Sequence, residues 1–234
     1  MKQSLNLTFS MLTMLSILVT SCSTSIDAIE PETGKANNQI TINGSEYATV
    51  VIGKQTWTSI NYNGTGGINY NNGANDPSYG KLYTIDEARA IALPAGWRLP
   101  SREDYNTLLG TLGESAKDKY GYYIPSPFVT RKLLAITSWN NILGKNESGF
   151  NAIATGHFRD LNRSSKPGFQ NKSIETVFVT TSYFTELGGN WAQTPISFRI
   201  YSEMSTNTTE ILSSFSDAVE RNADAGSLRF VKDN

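Results

Sequence analysis

Side chains able to carry out covalent or acid–base chemistry are scarce in this chain. It has one cysteine, Cys22, and one histidine, His157. One histidine cannot supply the ligand sets typical of zinc sites, and no Gly-x-Ser-x-Gly motif marks a nucleophile. We therefore expect His157 to be a structural or surface residue and the chain not to be an enzyme. A carboxylate pair for glycoside hydrolysis stays open, because its spacing in the fold is what matters. The acids considered are Asp86, Glu87, Glu103, Asp104, Glu147 and Asp160.

One loop-like segment carries oxygen ligands of the kind that calcium prefers. Asn69, Asn71 and Asp76 lie within Asn69-Tyr-Asn-Asn-Gly-Ala-Asn-Asp76 and are the candidate metal ligands. Only Asp76 is charged, however, and the spacing is not that of an EF-hand loop. Asn and Gly are also typical of plain turns. A plain loop is the favoured interpretation, calcium is the alternative, and no other cofactor is predicted.

Aromatic residues in loop-like segments point to ligand contact. Tyr70 and Tyr79 lie in an Asn-rich and Gly-rich stretch, and Trp191 follows Asn190 in a second one. Exposed aromatic rings stack on sugar faces, while Asn side chains bond sugar hydroxyls. These four residues are the candidate ligand-binding set. The other three tryptophans are expected in the core: Trp57, Trp97 and Trp139.

The first 21 residues have the pattern of an export signal. Lys2 is their only charged residue, and an apolar, hydroxyl-rich run follows from Leu5 to Thr20. That run suits a signal-peptide core and is short for a membrane span, which needs about 20 apolar residues. Val19-Thr20-Ser21-Cys22 resembles the lipobox of bacterial lipoproteins, in which a cysteine thiol carries diacylglycerol. The resemblance implies a signal peptide over residues 1–21 and a lipid on Cys22. An ordinary signal peptide with a chance cysteine is the alternative.

The residues after Cys22 bear on location and domain organisation. Ser23 rather than Asp follows the cysteine, which resembles the signal for lipid anchoring in the bacterial outer membrane; the cell surface and the periplasmic face both stay open. Residues 22–38 read as a lipidated, flexible tether, and residues 39–234 as one domain. A net charge of −1 argues against a nucleic-acid partner, which usually leaves a basic patch.

Strand patterns dominate the domain. Segment 39–53 predicts a hairpin, because Ile40 and Ile42 alternate with polar residues and Asn43-Gly44 is a type I′ turn signal. Further short strands are predicted over residues 150–153, 176–181, 196–201 and 226–231.

Three short helices are predicted among these strands. Thr84 to Glu87 fits a capping box before residues 88–92. Ser101 can cap a helix over residues 102–109, closed by Gly110, with Tyr105, Leu108 and Leu109 as its buried stripe. Pro127 suits the first turn of a helix over residues 127–135. Strands mixed with two to three helices and long loops indicate an α+β class with small antiparallel sheets.

Several segments, in order from about residue 46 to the C-terminus, resemble the Fibrobacter succinogenes major paralogous domain, which is common in lipoproteins of the Bacteroidetes. The most specific is Leu93-Pro-Ala-Gly-Trp-Arg-Leu-Pro-Ser-Arg-Glu-Asp-Tyr105, similar to the family's Pro-x-Gly-Trp-x-Leu-Pro-x-x-x-Glu-Trp signature. Two departures exchange one apolar residue for another: Phe230 replaces a common Cys, and Tyr105 a common Trp. A core can absorb such exchanges. The structural signature residues are Trp57, Trp97, Pro100, Glu103, Phe150 and Arg229.

The resemblance implies a C-type-lectin-like fold, in the version shared with formylglycine-generating enzymes. Those enzymes depend on reactive cysteines, which this chain lacks outside Cys22, so their activity is not expected. Glu103 has two interpretations. It is either a buried carboxylate that pins the signature loop through Arg98 or Arg229, or a solvated acid that favours the helix N-terminus.

The function expected from these features is a non-catalytic binding or adhesion module on the cell envelope. Its ligand would be a surface glycan or an envelope or host protein. The first alternative is a structural or accessory subunit of a surface assembly, such as a fimbrial tip or an outer-membrane transporter complex. A hydrolase of surface glycans is the lesser alternative.

Overall fold

The structure is a computed structural model that describes residues 38–69, 77–140, 142–160, 168–184, 194–204, 209–216 and 224–234. All of them belong to one compact unit, Pro31–Asn234. No helix in these ranges is long and apolar enough to cross a membrane. Several predicted sites lie outside the described residues: the signal peptide, Cys22, most of the tether, Tyr70, Asn71, Asp76, Asn190 and Trp191.

Eleven strands and three α-helices make up the described part of the chain. The strands are β1 (Asn38–Ile42), β2 (Ser45–Ile52), β3 (Gln55–Thr58), β4 (Ile68–Asn69), β5 (Lys81–Leu82), β6 (His157–Arg159), β7 (Gly168–Gln170), β8 (Glu175–Tyr183), β9 (Pro195–Met204), β10 (Thr209–Ser216) and β11 (Val231–Asp233). The helices are α1 (Ile85–Arg89), α2 (Arg102–Thr111) and α3 (Pro127–Leu133). A 3₁₀ turn covers Pro77–Tyr79.

The first sheet brings the two ends of the domain together. Its four strands are antiparallel in the order β1-β2-β3-β11. The predicted hairpin is confirmed: Asn43 and Gly44 have φ values of 49° and 83°, the left-handed pair that a type I′ turn requires. Ile40 and Ile42 point into the core. Val231 of the last strand stands opposite Trp57 of β3, so the chain closes on its own first sheet.

The helices begin where their caps were predicted. Thr84 and Ser101 each form a capping box, with Glu87 and Asp104 as the reciprocal partners. Gly110 does not end α2, because the helix continues for one more residue and Leu112 is its C-cap. Helices α1 and α3 are shorter than predicted, ending at residues 89 and 133.

The second sheet has three antiparallel strands in the order β10-β9-β8. Strands were predicted at β8 and β9 but not at β10, whose Thr- and Ser-rich sequence gives only a weak signal. Residues 150–153 do not form a strand, because Asn151 takes φ 57° and breaks the extended conformation. The predicted strand at 226–231 begins only at Val231; residues 225–227 instead make isolated bridges.

Two clusters of buried apolar residues fill the space between the sheets and helices. In the first, the Tyr105 ring stacks on Phe198 with centroids 4.3 Å apart, and Leu108 and Leu109 are fully buried. This confirms the predicted stripe of α2. Trp57 and Trp139 are core residues as predicted, whereas Trp97 is only half-buried. Small antiparallel sheets with three short helices confirm the α+β class.

Candidate functional site: a cleft beside Tyr79

The loop before α2 ties the end of the chain to the first sheet. Arg98 N donates to Val231 O at 2.9 Å, and Val231 N donates to Arg98 O at 3.0 Å. The Arg98 guanidinium also contacts Asp104 Oδ1 at 2.5 Å and Asp233 Oδ1 at 3.1 Å. Burial opposes the charged form of Arg98, but hydrogen bonds to Asp233 and Asp104 outweigh it and raise the pKa of Arg98.

Asp104 is the buried carboxylate at the centre of this network. It is 6 % exposed. Its Oδ1 accepts from Gln55 Nε2 at 3.0 Å, and its Oδ2 accepts from Ser101 N at 2.8 Å. Gln55 in turn accepts from Trp57 Nε1 at 3.3 Å. One acid therefore joins the helix cap, the signature loop and β3, which makes this part of the molecule a rigid frame.

Glu103, the acid singled out by the family resemblance, faces away from this network. It is exposed and accepts from the Tyr122 hydroxyl at 3.0 Å. The interpretation of Glu103 as a buried acid bonded to Arg98 or Arg229 is wrong, and the solvated alternative is what the structure shows. Asp104 is one residue further along α2, which turns its side chain by about 100° around the helix.

Arg229 is fully buried and anchors the loop at residues 150–151. Its Nε donates to Asn61 Oδ1 at 2.8 Å, and its Nη1 to Thr58 O at 2.8 Å. Two further bonds, each of 2.9 Å, run from Nη1 to Phe150 O and from Nη2 to Asn151 O. These acceptors are neutral. Burial lowers the pKa of Arg229 to about 9, so the guanidinium still carries its charge at neutral pH.

A surface cleft of about 420 Å³ adjoins the loop that Arg229 holds. Its volume falls within the range of small-ligand sites, roughly 300–1,000 Å³. The lining combines an aromatic ring, hydroxyl groups, an amide and aliphatic side chains, among them Tyr79, Ile136, Thr137, Ser138 and Asn151. Such a surface can pack against apolar parts of a ligand and hydrogen-bond to its polar groups.

Two lining residues adopt the left-handed backbone conformation without being glycine. Ser138 has φ 87° and Asn151 has φ 57°, and positive φ is uncommon outside glycine. Local hydrogen bonds hold both positions. Ser138 Oγ accepts from Ala154 N at 3.1 Å, and Asn146 Oδ1 accepts from Asn151 N at 2.9 Å. Such conformations cluster at functional sites, and here both belong to one cleft.

The wall of the cleft is built by a close approach of two backbone segments. A Cβ atom at Gly144 would come within 1.9 Å of Ala135 O, so only glycine fits there. The neighbouring side chains, Leu143 and Ile136, are 80 % and 61 % exposed. Of these two, Ile136 lines the cleft and gives it an exposed apolar side chain.

Tyr79 also lines the cleft. It is half-buried, and its main-chain oxygen accepts from Asn61 Nδ2 at 2.9 Å. Lys172 Nζ lies 4.6 Å from the centroid of the Tyr79 ring, a cation–π distance. The turn that carries Lys172 is fixed at the next residue, since Ser173 N donates to Ala154 O at 2.9 Å. An aromatic ring and a cation thus stand together at the cleft.

Comparison with known proteins places this architecture in a family. The model of the Fibrobacter succinogenes major domain matches residues 50–232. The chain belongs to this family. No curated protein and no solved structure matches it.

The matched region explains the family's signature in physical terms. Within this Fibrobacter succinogenes major domain, Trp57 and Phe150 are core residues whose rings pack edge to face at 5.5 Å. Pro100 is buried and its carbonyl accepts from Thr181 N at 2.9 Å. Trp97 packs against the core from the surface. Arg229 bonds to the loop beside the cleft, so every signature residue except Glu103 supports the fold.

The structure unites only part of the predicted site. Of the candidate ligand residues, Tyr79 alone lies among the described residues, and it lines the cleft. Asn69 is half-buried on β4, and its Oδ1 has no hydrogen-bond partner among the described residues. No group of three or more His, Cys, Asp or Glu side chains in the described ranges could hold a metal. Sequence reasoning missed the cleft residues at 135–138, whose only signal was a run of small and polar residues after α3.

His157 lies in a buried cluster elsewhere in the domain. It is 3 % exposed, its Nδ1 lies 3.6 Å from Glu175 Oε1, and its Nε2 accepts from Arg159 Nε at 3.1 Å. Glu175 is also buried and contacts Arg199 Nε at 2.5 Å. Burial lowers the pKa of His157, the Glu175 charge opposes that effect, and Arg159 and Arg199 add to it. The contacts suit a neutral, structural histidine that joins β6 to β8.

Proposed function

We propose that this chain is a cell-envelope lipoprotein whose domain binds a ligand, without catalysis, in the cleft beside Tyr79. The observation that carries the proposal is the cleft itself, with a volume of about 420 Å³ and a lining of aromatic, hydroxyl and amide groups. A binding site needs groups held in fixed positions. The bonds from Arg229 to the 150–151 loop and the left-handed residues Ser138 and Asn151 supply that support.

The proposal includes a C-type-lectin-like fold for the domain. In support, β11 pairs with β3 in the first sheet, so the end of the domain meets its beginning. Short helices pack beside the sheets, and the cleft is built from loops. Loops on a rigid scaffold carry binding sites in many folds.

The proposed location is the bacterial outer membrane, through a lipid on Cys22. The pattern of Lys2, the apolar run and Val19-Thr20-Ser21-Cys22 supports it. Metabolic labelling with an alkyne fatty acid tests the anchor. We expect label on the wild-type chain and none on Cys22→Ser, and equal labelling of the two would contradict lipidation at this residue.

Binding is tested with the full mature protein on an array of glycans and envelope or host-matrix proteins. Tyr79→Ala should reduce binding to any ligand found. Tyr120→Ala is the matched control, because Tyr120 is an exposed tyrosine that also has a lysine over its ring, with Lys119 Nζ at 4.9 Å, yet does not line the cleft. Equal loss in both variants, or no ligand at all for the folded protein, would contradict the proposal.

A second candidate function, a subunit of a surface assembly, has its own support. Phe128, Ile136 and Leu143 are apolar and at least 61 % exposed, and exposed apolar residues are typical of protein contacts when they form a patch. Co-purification after mild solubilisation tests it. An envelope partner lost on Leu143→Ser would favour the assembly, whereas recovery as a lone protein would argue against it.

A further inference from the structure

A buried polar cluster joins β6, β8 and β9 outside the cleft. His157 and Glu175 are 3 % and 1 % exposed, and Arg199 Nε contacts Glu175 Oε1 at 2.5 Å. Arg159 is half-buried and lies on the same strand as His157, the only histidine of the chain. Histidine is the side chain that ordinarily titrates between about pH 5 and 8. This cluster is therefore the place where we expect mild acid to act on the domain.

The hydrogen bond from Arg159 fixes the tautomer of the imidazole ring. Arg159 Nε donates to His157 Nε2 at 3.1 Å, and a guanidinium group has donors but no acceptor. Nε2 must therefore present its lone pair, and a neutral ring carries its proton on Nδ1. Nδ1 lies 3.6 Å from Glu175 Oε1 and has no hydrogen-bond partner in the part of the chain that the structure describes.

The charges around the ring balance only while His157 is neutral. Burial is the largest cause that lowers the pKa of His157; Glu175 opposes it, Arg159 and Arg199 add to it, and Asp224 opposes it. The two acids and the two arginines cancel formally. A proton on the ring would therefore add an uncompensated positive charge to a buried site, where charges are weakly screened.

A proton on Nε2 is incompatible with the hydrogen bond from Arg159. The lone pair of Nε2 is the ring position at which a second proton binds, and binding turns this acceptor into a donor that faces another donor at 3.1 Å. The charged ring at the same time attracts the Glu175 carboxylate more strongly through Nδ1–H. His157 and Glu175 are enclosed, whereas the half-buried Arg159 has access to water. Arg159 is therefore the group that can leave.

We propose that His157 is an acid-operated switch: when Nε2 takes up a proton from solvent, Arg159 leaves the ring and turns to water, and the contact between His157 and Glu175 closes. The switch should operate below about pH 6.5, the ordinary histidine value. Its effect is expressed at the end of β6, where the next residue, Asp160, donates its N–H to Asp224 Oδ1 at 3.0 Å. This inference goes beyond the proposed function, because the switch needs no ligand and does not involve the cleft.

The tautomer is the first part of the test, and a single histidine allows it to be read without ambiguity. Long-range proton–nitrogen correlation spectra of the isotope-labelled mature protein in detergent micelles report which ring nitrogen carries the proton. At about pH 7.5, above the ordinary histidine value, we expect a proton on Nδ1 and none on Nε2. A proton on Nε2 at this pH would overturn the inference, because Arg159 could not then donate to that atom.

An acid titration is the second part. The Nε–H signal of Arg159, identified by its absence in Arg159→Met, should move to the position of a water-exposed guanidinium with the same midpoint as the imidazole signal. In His157→Gln the Arg159 signal should stay in place, because glutamine accepts a hydrogen bond but does not titrate. An Arg159 signal that does not follow the histidine would contradict the switch, as would unfolding of the domain before the histidine titrates.

Removal of the opposing cation gives an independent measure. Arg159→Met should raise the His157 midpoint by about one pH unit, which is roughly tenfold tighter proton binding and the size expected of one charged neighbour. Arg89→Met is the control, because Arg89 is exposed on α1 outside the cluster and should leave the midpoint unchanged. Equal midpoints in the wild type and Arg159→Met would overturn the switch. None of these measurements uses a ligand, so their failure would leave the proposed binding site untouched.

Discussion

At the scale of single residues, two adjacent acids on α2 have opposite environments. Asp104 is buried and accepts from Gln55 and Ser101, and its ion pair with Arg98 measures 2.5 Å. Glu103 is exposed. Removing Asp104 leaves several donors unsatisfied in the interior, whereas removing Glu103 leaves only the exposed Tyr122 hydroxyl, which water can bond instead. The two positions therefore form a natural pair for mutation.

We expect Asp104→Ala to lower the free energy of unfolding by about 2–4 kcal/mol, through the lost cap and the unpaired donors of Arg98 and Gln55. Glu103→Ala should change it by less than about 0.5 kcal/mol, as is usual for surface positions. Urea unfolding followed by tryptophan fluorescence measures both. A larger loss for Glu103→Ala than for Asp104→Ala would mean that the acids have exchanged roles.

Arg229 offers a second residue-scale prediction. Arg229→Met keeps much of the side chain's length but leaves Thr58 O, Phe150 O and Asn151 O without their donor. Unsatisfied buried acceptors cost about 1–3 kcal/mol each, so we expect a loss of at least about 3 kcal/mol in unfolding free energy. Arg89→Met is the control, since Arg89 is exposed and should cost less than about 1 kcal/mol. A loss for Arg229→Met no larger than the control's would show that the hydrogen bonds of Arg229 are not needed for stability.

At the scale of elements, the features predicted correctly are those that depend on a few neighbouring residues. The Asn43-Gly44 turn and the caps at Thr84 and Ser101 depend on a few neighbouring residues, and all three are present. Strand β10 was not predicted, because its own sequence gives only a weak strand signal. Its stability comes from pairing with β9. Segment 150–153 has strand-like residues but forms a loop. Its carbonyls at Phe150 and Asn151 accept hydrogen bonds from Arg229, a residue almost eighty positions away.

The cleft could not be predicted for the same reason. Tyr79 was identified as a binding residue from its aromatic, loop-like setting, and it does line the cleft. Its partners at residues 135–138, Asn151 and Ile153 come from segments that are distant in the sequence. Ser138 acquires φ 87° only when the folded loops hold it there.

The cleft wall depends on the approach of Gly144 to Ala135. Gly144→Ala would place a Cβ atom 1.9 Å from a backbone oxygen, so the wall must move. We expect reduced ligand binding and a clear loss of stability. Gly121→Ala is the control, because Gly121 has φ 85° with open space around it and should cost only about 1–2 kcal/mol from the left-handed backbone. If Gly144→Ala binds ligand normally, the wall is not part of the site.

The contact of β6 with β8 makes the folding stability of the domain depend on pH. Burial lowers the pKa of His157, with Glu175 and Asp224 opposing and Arg159 and Arg199 assisting. Below about 6.5, the ordinary histidine value, the unfolded chain binds a proton that the folded chain resists. Stability should therefore fall as the pH drops below this value and level off once the folded state is also protonated.

Urea unfolding between about pH 7.5 and 5 measures this effect, with His157→Gln as the comparison. Glutamine can accept from Arg159 but does not titrate, so the variant should lose less stability than the wild type over this range. Parallel pH profiles for the two proteins would show that His157 contributes nothing to the acid sensitivity.

At the scale of the whole molecule, a rigid frame supports loops of irregular structure. The frame joins β3, the signature loop, α2 and β11 through Asp104 and Arg98, and Arg229 extends it to the cleft. The family match over residues 50–232 covers frame and cleft together. In the proposed lipoprotein, the anchor at Cys22 would keep this assembly at the membrane while the cleft stays open to ligand.

Mapping of amide chemical shifts would show whether the cleft beside Tyr79 is the binding site. The isotope-labelled mature protein would be titrated with the strongest ligand from the array. If it is, we expect shifts that cluster at residues 78–79, 135–138 and 151–153. Shifts that cluster instead around Tyr120 and Phe128, with the cleft amides unchanged, would contradict it.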